Sequence, residues 1–428
     1  MLSFFCPCPK GLEEVLTNEL INLSALYPKY NICRINQMSA GVSFKGDMMS
    51  CYAVNLFSRI ASRVLLHINT APCKTEEDIY NFAKKQQWDT YFTPRQSIKL
   101  DINAHYSPFK SLNFVNLRVK DAVCDAFRSK TGIRPNVDTD KPDVKIMIYL
   151  DKNLCSLYID TSGEALFRRG WRQEIGEAPI KENLAAGILY LSGWHKDTQQ
   201  ALFDPMCGSG TFLIEAVSMA LNVPPGANRE FGFENLKIHQ TSMWQQLKVF
   251  ANKQRQNALS THINYISGSD ISEKMLAVSE KNAHRAGVKL NITLADVRTV
   301  EKPSASGILV ANPPYGERIS TRGAAPKTFI KNKDGVIQKA EDTDLKQQEE
   351  ESLEKEKAFH SEWASNLKKN FSGWQAYILS ANLDLPAHMR LKPKQKIPLF
   401  NGNLECRLFA FDMVDGSMRK DTDIIKNN

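Results

Sequence analysis

Two short stretches carry residue types that suit chemistry on a nucleotide-like ligand. The first, Asp204 to Ala216, places Gly208-Ser209-Gly210 between a short apolar run and a helical one. Glycine lets the backbone pass close to a ligand, and a helix N-terminus offers unpaired N–H groups. The dehydrogenase fingerprint G-x-G-x-x-G is not met, because Leu213 stands where its third glycine belongs. Taken alone, the stretch predicts either a nucleotide-type site or a plain tight turn.

Three acidic residues strengthen the first of these alternatives. Asp204, Asp270 and Asp296 each follow a short apolar, β-rich run. Ligands of open α/β sheets bind outside the carboxyl ends of the strands, so we expect the three carboxylates to line one crevice. Any one of them could be a helix N-cap or a turn residue. The three together favour a ligand site.

The second stretch is Asn312-Pro313-Pro314-Tyr315-Gly316, which follows the apolar run 307–310. The Asn312 amide can accept and donate hydrogen bonds, the prolines fix a rigid turn with a free carbonyl, and Tyr315 offers a ring face. Asn-Pro-Pro is also good turn chemistry. Its position at the end of a strand favours a site for a flat base that carries an amino group.

The elements that must position these residues are strands alternating with helices, as in a doubly wound sheet. Asp204 and Asp270 are separated by about twice the length that one crossover helix needs, which predicts inserted structure between them. Residues 222–233 are predicted as a loop and 243–259 as a polar helix. The apolar runs 374–379 and 406–411 are predicted as strands, and they resemble the closing antiparallel pair of such a sheet.

The first 165 residues mix α and β segments with scattered basic and aromatic residues. Lysines and arginines of this region are candidate contacts to RNA phosphates, although for any single one a solvated role is the better expectation. The region is followed by Arg168, Arg169 and Arg172 around Trp171. These arginines could bind phosphate and a base, or acidic neighbours at a domain interface, and the sequence leaves both open.

Several motifs together resemble a known family. Besides the glycine turn, the spaced acids and Asn-Pro-Pro-Tyr, they are 135–138 (PNVD), 160–163 (DTSG), 168–172 (RRGWR), 178–182 (APIKE) and 312–318 (NPPYGER). They resemble class I S-adenosylmethionine methyltransferases that act on base amino groups, and among these the THUMP-domain enzymes that methylate guanine N2 in bacterial 23S ribosomal RNA. The resemblance covers about residues 1–320 and 359–415. Some members of the family continue into a second domain that makes 7-methylguanine, an activity not expected here.

The resemblance implies an α/β architecture with three domains. Residues 1–45 would be a ferredoxin-like α+β unit and 46–165 a THUMP RNA-binding domain. Residues 166–415 would be a Rossmann-like methyltransferase domain, mostly parallel with an antiparallel last strand, followed by a tail at 416–428. The stretch 321–357 has almost no apolar periodicity and a charge-rich end, which predicts a disordered segment or a loose helix inserted beside the site. We expect a solvated loop there, with a role in gating RNA as the alternative.

The resemblance also implies a role for each site residue. S-adenosylmethionine would be held by Asp204, Pro205, Cys207, Gly208, Ser209, Gly210, Asp270, Asp296 and Asn312. The catalytic residues would be Asn312, Pro313, Pro314 and Tyr315. The RNA-binding residues would be Arg118, Lys120, Arg134, Arg168, Arg169 and Arg172.

Composition limits the remaining alternatives. A formal charge of +8 permits a nucleic-acid partner without proving one, and nine cysteines without a C-x-x-C pair make a metal site unexpected. No apolar run approaches membrane-span length, so a cytoplasmic protein is expected. The resemblance implies that its partner is naked or partly assembled 23S ribosomal RNA. The alternatives are a transfer RNA guanine-N2 methyltransferase, a DNA adenine-N6 methyltransferase and a noncatalytic RNA-binding assembly factor. The sequence does not determine the oligomeric state.

Overall fold

The structure is a computed structural model that describes residues 1–173, 180–260, 263–314, 329–331, 337–339 and 342–414. Its strands are β1 Leu2–Pro7, β2 Cys33–Met38, β3 Gly41–Gly46, β4 Leu65–Pro72, β5 Ile98–His105, β6 Val144–Asp151, β7 Leu154–Asp160, β8 Leu202–Asp204, β9 Ile266–Asp270, β10 Asn291–Leu294, β11 Gly307–Ala311, β12 Phe329–Lys331, β13 Ile337–Lys339, β14 Trp374–Ser380, β15 Gln395–Asn401 and β16 Leu404–Asp412. Its helices are α1 Glu13–Leu26, α2 Met48–Phe57, α3 Glu76–Lys84, α4 Leu112–Thr131, α5 Glu182–Leu191, α6 Thr211–Ala220, α7 Thr241–Ser260, α8 Glu273–Ala286, α9 Asp342–Asn370 and α10 Leu385–Met389.

The N-terminal half is built on one seven-stranded sheet in the order β2-β3-β1-β4-β7-β6-β5. Its strands show the period-two burial that one covered face requires; in β6, residues 144, 146, 148 and 150 are buried and alternate with more exposed ones. β1 pairs antiparallel with both β3 and β4. The predicted boundary at residue 45 therefore falls inside a continuous sheet.

The second sheet carries the candidate site residues and has the order β10-β9-β8-β11-β14-β16-β15. The pairs from β10 to β14 are parallel, whereas β16 runs antiparallel to β14 and β15. β8, β9 and β11 are buried along their whole length, as expected for strands covered on both faces. The predicted mostly parallel sheet with an antiparallel end is confirmed.

The inserted structure between β8 and β9 joins the two halves of the protein. The predicted polar helix at 243–259 is present as α7, and residues before it form an aromatic cluster with the N-terminal half. Tyr52 on α2 packs on Phe233 and Trp244 at ring-centroid distances of 4.6 and 5.8 Å. The residues inserted between β8 and β9 thus contact the N-terminal half, in addition to connecting the two strands.

The predicted insertion 321–357 lies largely outside the described residues, but its C-terminal end does not. α9 begins at Asp342 and continues without a break to Asn370. Within it, Glu356 is 6% exposed and accepts a hydrogen bond of 2.7 Å from Asn382 Nδ2. The end of the predicted insertion is therefore helix packed on the domain, not a solvated loop.

None of the helices in the described part of the chain has the length and apolarity that crossing a bilayer requires. The histidine, cysteine and acidic side chains of the described residues form no group of three or more that could hold a metal ion.

Candidate cofactor and acceptor-base site

The glycine turn between β8 and α6 is shaped to admit a ligand. Gly208 and Gly210 have φ angles of +53° and +81°, a backbone conformation that residues with side chains rarely adopt. A Cβ placed on Gly208 would meet no protein atom within 4 Å, so the space above the turn is open. Gly210 is the N-cap of α6 and provides no side-chain cap. The turn thus combines an open approach with a helix N-terminus that favours acceptor groups.

Asp204 and Asp270 meet at this turn. Asp204 is 1% exposed, and one of its oxygens accepts a hydrogen bond from the Met206 N–H at 3.1 Å. Burial raises the pKa of the Asp204 carboxyl well above its ordinary value, and the nearby Asp270 raises it further. A cationic ligand group, such as the ammonium of an amino acid, would offset both effects.

Asp270 also shapes the turn itself. Its Oδ2 accepts from the Gly208 N–H at 2.8 Å and its Oδ1 from the Ser272 N–H at 2.9 Å. A carboxylate oxygen has two lone pairs, so each can still accept a further hydrogen bond from a ligand hydroxyl. Asp270 therefore ties the end of β9 to the glycine turn while retaining acceptor capacity.

The third acid, Asp296, lies two residues beyond β10 and already has a partner. The Arg298 guanidinium donates to it in two places, Nε to Oδ1 at 3.0 Å and Nη2 to Oδ2 at 2.6 Å. These bonds hold the pKa of Asp296 below its ordinary value. Arg298 also reaches Glu362 on α9 at 3.1 Å. Arg298 fixes the orientation of Asp296, and the sequence reasoning missed it.

The remaining residues of the turn are fixed by hydrogen bonds. The Cys207 N–H donates to the Ser269 carbonyl at 2.9 Å, and Ser269 Oγ donates to the Pro205 carbonyl at 3.2 Å. Burial raises the pKa of the Cys207 thiol, with the two nearby aspartates adding to it, so a reactive thiolate is disfavoured there.

Two polar residues of α8 hold the turn from below. Ser279 Oγ donates to the Gly208 carbonyl at 2.6 Å, and Asn282 Nδ2 donates to the Ser209 carbonyl at 3.2 Å. Sequence reasoning missed both residues. Their i, i+3 spacing on one helix face, opposite a glycine turn, is the signal that could have found them.

Asn312-Pro313-Pro314 leaves the sheet beside this turn. It follows β11, which pairs with β8 so that Leu309 lies opposite Phe203, one residue before Asp204. Asn312 is half-buried, Pro313 is buried and Pro314 is exposed. The structure therefore brings the Asn-Pro-Pro segment and the glycine turn to the same edge on neighbouring strands. Tyr315 lies outside the described residues, and its stacking role stays a prediction.

Two of the predicted RNA-binding residues are interior residues, which corrects the prediction. The Arg169 side chain is 2% exposed, and its Nε donates to Glu215 Oε1 at 3.1 Å. The Arg172 side chain is 12% exposed, pairs with Glu182 at 2.8 Å and donates from Nη2 to Thr211 Oγ1 at 2.7 Å. The acidic partners of the two arginines lie on α6 and α5. Arg172 instead supports the glycine turn.

The other four predicted RNA-binding residues keep solvent access. The Arg118 side chain is 28% exposed, pairs with Glu77 and lies over the Tyr80 ring. Lys120 pairs with Asp121 at 2.8 Å. Arg134 is exposed, and Arg168 has a 70% exposed side chain that pairs with Glu164. Weak surface pairs of this kind can exchange for phosphate contacts, so the RNA role of these four residues stays a prediction.

Replacing Asp270 by alanine is expected to weaken binding of S-adenosylmethionine about tenfold or more, because a ligand hydroxyl loses a charged acceptor and the Gly208 N–H loses its partner. RNA affinity should stay within about twofold. Isothermal titration calorimetry with S-adenosylmethionine, beside filter binding of RNA, separates the two effects. Glu273→Ala, at the start of α8, is a control for a nearby acidic residue. An unchanged cofactor dissociation constant would remove Asp270 from the site.

Comparison with protein-family models divides the chain into three matches. Residues 3–65 match the RlmL ferredoxin-like domain, residues 73–160 the THUMP domain, and residues 169–333 the RMKL-like methyltransferase domain. The last match contains both the glycine turn and the Asn-Pro-Pro segment. The domain types predicted from the sequence are confirmed.

Curated relatives include two proteins called ribosomal RNA large subunit methyltransferase K/L. The protein from Shewanella sp. (strain ANA-3) is 32% identical over 99% of this chain and 55% of its own length. The one from Shewanella amazonensis is 33% identical over 98% of this chain and 54% of its own length. The chain thus spans about half the length of the curated relatives it matches.

Solved structures share the fold over nearly the whole chain. A possible methylase from Clostridium difficile 630 is 27% identical, with a TM-score of 0.78 over 97% of this chain and 99% of that one. A second structure, complexed with S-adenosylhomocysteine, is 25% identical, with a TM-score of 0.76 and the same coverage.

Proposed function

We propose that the chain is a methyltransferase of the kind that joins an RlmL-type ferredoxin-like domain, a THUMP domain and an RMKL-like methyltransferase domain, as its three domain matches suggest. Its proposed reaction is methylation of the exocyclic N2 of a guanine in 23S ribosomal RNA. The observation that carries the proposal is the meeting of two motifs at one sheet edge. The open glycine turn after β8 and Asn312-Pro313 after β11 sit on neighbouring strands. One motif suits the cofactor and the other the base.

The residues of the turn fit S-adenosylmethionine, the cofactor of this family. The buried Asp204 and the adjacent Asp270 suit the ammonium of its methionine part and its ribose hydroxyls. We assign the open space at Gly208 to the methionine backbone. The adenine amine is assigned to Asp296, whose carboxylate Arg298 orients. When bound, the cofactor supplies a methyl group made electrophilic by its sulfonium.

The chain's own contribution to the reaction is to position and polarise the acceptor amine. The Asn312 side-chain oxygen and the Pro313 carbonyl accept hydrogen bonds from the guanine N2 hydrogens and direct the nitrogen lone pair at the methyl. The N–C bond then forms as the S–C bond breaks, and the nitrogen releases one proton to water. The acceptor base must leave its helix to reach this edge, and Tyr315 is proposed to stack on it.

We propose that the protein acts in the cytoplasm on naked or partly assembled large-subunit RNA, because the acceptor base has to be flipped out of its helix to reach the site. An RNA acceptor is supported by the THUMP match at residues 73–160 and by the exposed side chains of Arg134 and Arg168. The curated relatives carry an additional portion of chain, about half of their length, that has no counterpart in this sequence. The proposal covers the N2 reaction alone.

The experiment that tests the proposal has two parts. Nucleoside mass spectrometry on 23S ribosomal RNA from a deletion strain should show loss of one N2-methylguanine. In vitro, the purified protein should incorporate methyl groups into naked large-subunit RNA faster than into assembled subunits, transfer RNA or duplex DNA. If transfer RNA proves the best acceptor, the ribosomal assignment is wrong. If duplex DNA does, the RNA assignment is wrong as well.

RNA binding is expected to weaken steeply with salt, because lysine and arginine contacts to phosphate release counterions on association. Arg134→Ala and Arg168→Ala should each lower the slope of log affinity against log salt by about one. Fluorescence anisotropy with labelled 23S RNA fragments at several potassium chloride concentrations measures the slope. Lys396→Ala on the edge strand β15 is the matched control. A slope that neither arginine variant changes would exclude both residues from the RNA surface.

A further inference from the structure

A buried carboxylate lies on α9 at the level of the sheet edge that holds the candidate site. About 21 Å of helix separate Glu356 from Asn370, where α9 ends. The strand β14 begins at Trp374 and is seven residues long, so it spans about 23 Å. The two lengths place Glu356 beside the carboxyl end of β14. Its hydrogen bond from Asn382, two residues past that end, confirms the placement.

The carboxyl end of β14 adjoins the Asn-Pro-Pro segment. β14 pairs in parallel with β11, and Ala311 lies opposite Ile378. α9 packs on the same part of the sheet, since Trp363 and Leu367 share one apolar cluster with Ala311. Glu356 and Asn312 therefore belong to one edge of the sheet.

Within the described part of the chain, the hydrogen bond that Glu356 accepts comes from a neutral amide. His360, one helical turn away and 1% exposed, is uncharged at neutral pH, because burial and the nearby His388 lower its pKa to about 4. Among the described residues, His360 Nδ1 and Trp363 Nε1 have no hydrogen-bond partner. A buried carboxylate whose partner in the described residues is a neutral amide gains little stability from that contact, which favours a role toward a ligand.

The chemistry of that ligand follows from the acceptor oxygens. Guanine carries N–H donors at N1 and N2, side by side, whereas adenine has an acceptor at N1. A carboxylate shielded from water can accept a hydrogen bond from guanine N1–H, but it repels the lone pair of adenine N1. With adenine the buried carboxylate oxygen would lack a hydrogen bond, which is costly. We propose that Glu356 is a base-specificity residue that accepts a hydrogen bond from N1–H of the guanine whose N2 faces Asn312. This inference rests on the proposed guanine-N2 activity.

The test compares two bases at one position. The wild-type protein first maps its own acceptor guanine in a 23S RNA fragment by mass spectrometry. The same fragment is then made with 2-aminopurine there, a base that keeps the 2-amino group but lacks the N1 hydrogen and O6. The wild-type protein should methylate guanine roughly tenfold or more faster than 2-aminopurine in kcat/KM. Glu356→Gln should reduce this ratio to within about threefold, because an amide can donate to the bare N1.

Controls separate base recognition from folding. Glu354→Gln, on the same helix with a 73% exposed side chain, should keep the wild-type ratio. Asn382→Ala removes the structural partner of Glu356 and should leave the ratio above about fivefold even if stability falls. A guanine preference that Glu356→Gln leaves unchanged overturns the inference while the proposed function stands. Failure of the wild-type protein to methylate any guanine overturns both.

Discussion

Replacing Asn312 by alanine is expected to reduce methyl transfer on the order of a hundredfold or more, with binding of S-adenosylmethionine nearly intact. The reason is that a positioned acceptor of the base amine is lost at the point where charge develops on the nitrogen. The hydrogen bonds that Asp204, Asp270 and Ser279 make in the cofactor turn do not involve the Asn312 side chain. Single-turnover methylation with saturating cofactor measures the loss, and calorimetry measures cofactor binding.

Asn81→Ala, an exposed asparagine on α3, is the matched control and should behave as the wild type. The loss in the Asn312 variant should appear in kcat more than in the KM for RNA, because the interaction strengthens in the transition state. A variant that methylates at the normal rate would show that Asn312 does not act on the acceptor amine. A variant that no longer binds cofactor would move Asn312 to the cofactor side of the site.

The second large effect is expected at Glu215, the carboxylate shared by two buried arginines. It lies on α6, 2% exposed, and contacts Arg169 at 3.1 Å and Arg59 at 3.5 Å. Glu215→Ala leaves both guanidinium groups buried without their acid, and breaking a buried ion pair in this way costs about 3–5 kcal/mol. We expect a clear fall in the midpoint of thermal unfolding, measured by calorimetry.

Glu164→Ala is the control for this change, because the Glu164 pair with Arg168 is on the surface, with side chains 61% and 70% exposed. Its midpoint should shift by less than about one degree, since exposed pairs contribute little. Equal effects of the two variants would show that the Glu215 network does not stabilise the fold.

The same network changes what a fragment of this protein can do. A methyltransferase fragment beginning near residue 176 would be expected from the sequence alone to bind the cofactor, because the site lies beyond that point. In the structure, Arg59 reaches the carbonyls of Ser218 and Val223 at 3.0 and 2.7 Å, and Arg172 reaches the first turn of α6. Such a fragment would expose the base of the cofactor turn and lose its support. The N-terminal half is therefore part of the scaffold of the site.

The sequence by itself determined the chemistry and the order of the elements. A glycine turn after a strand, acids at the ends of later strands and Asn-Pro-Pro after another are local patterns, and a parallel sheet brings strand ends to one edge. These patterns alone are therefore enough to assign Asp204, Asp270 and Asn312 to one edge. The inserted helix near 243–259 was predictable for the same reason, since periodicity and spacing are local properties. The antiparallel closing strands were predicted from the family resemblance.

Only the tertiary structure decided which charges face solvent. Arg168, Arg169 and Arg172 have the same chemistry in the sequence, but packing against Glu215 and Glu182 buries the last two and leaves the first exposed. Glu356 stands in a run of charges that is typical of a solvated loop, yet α9 carries it to the end of β14, where it is buried. Burial depends on contacts between residues far apart in the chain, and a local charge pattern holds no information about them. The side-chain network that supports the cofactor turn was invisible in the sequence for that reason.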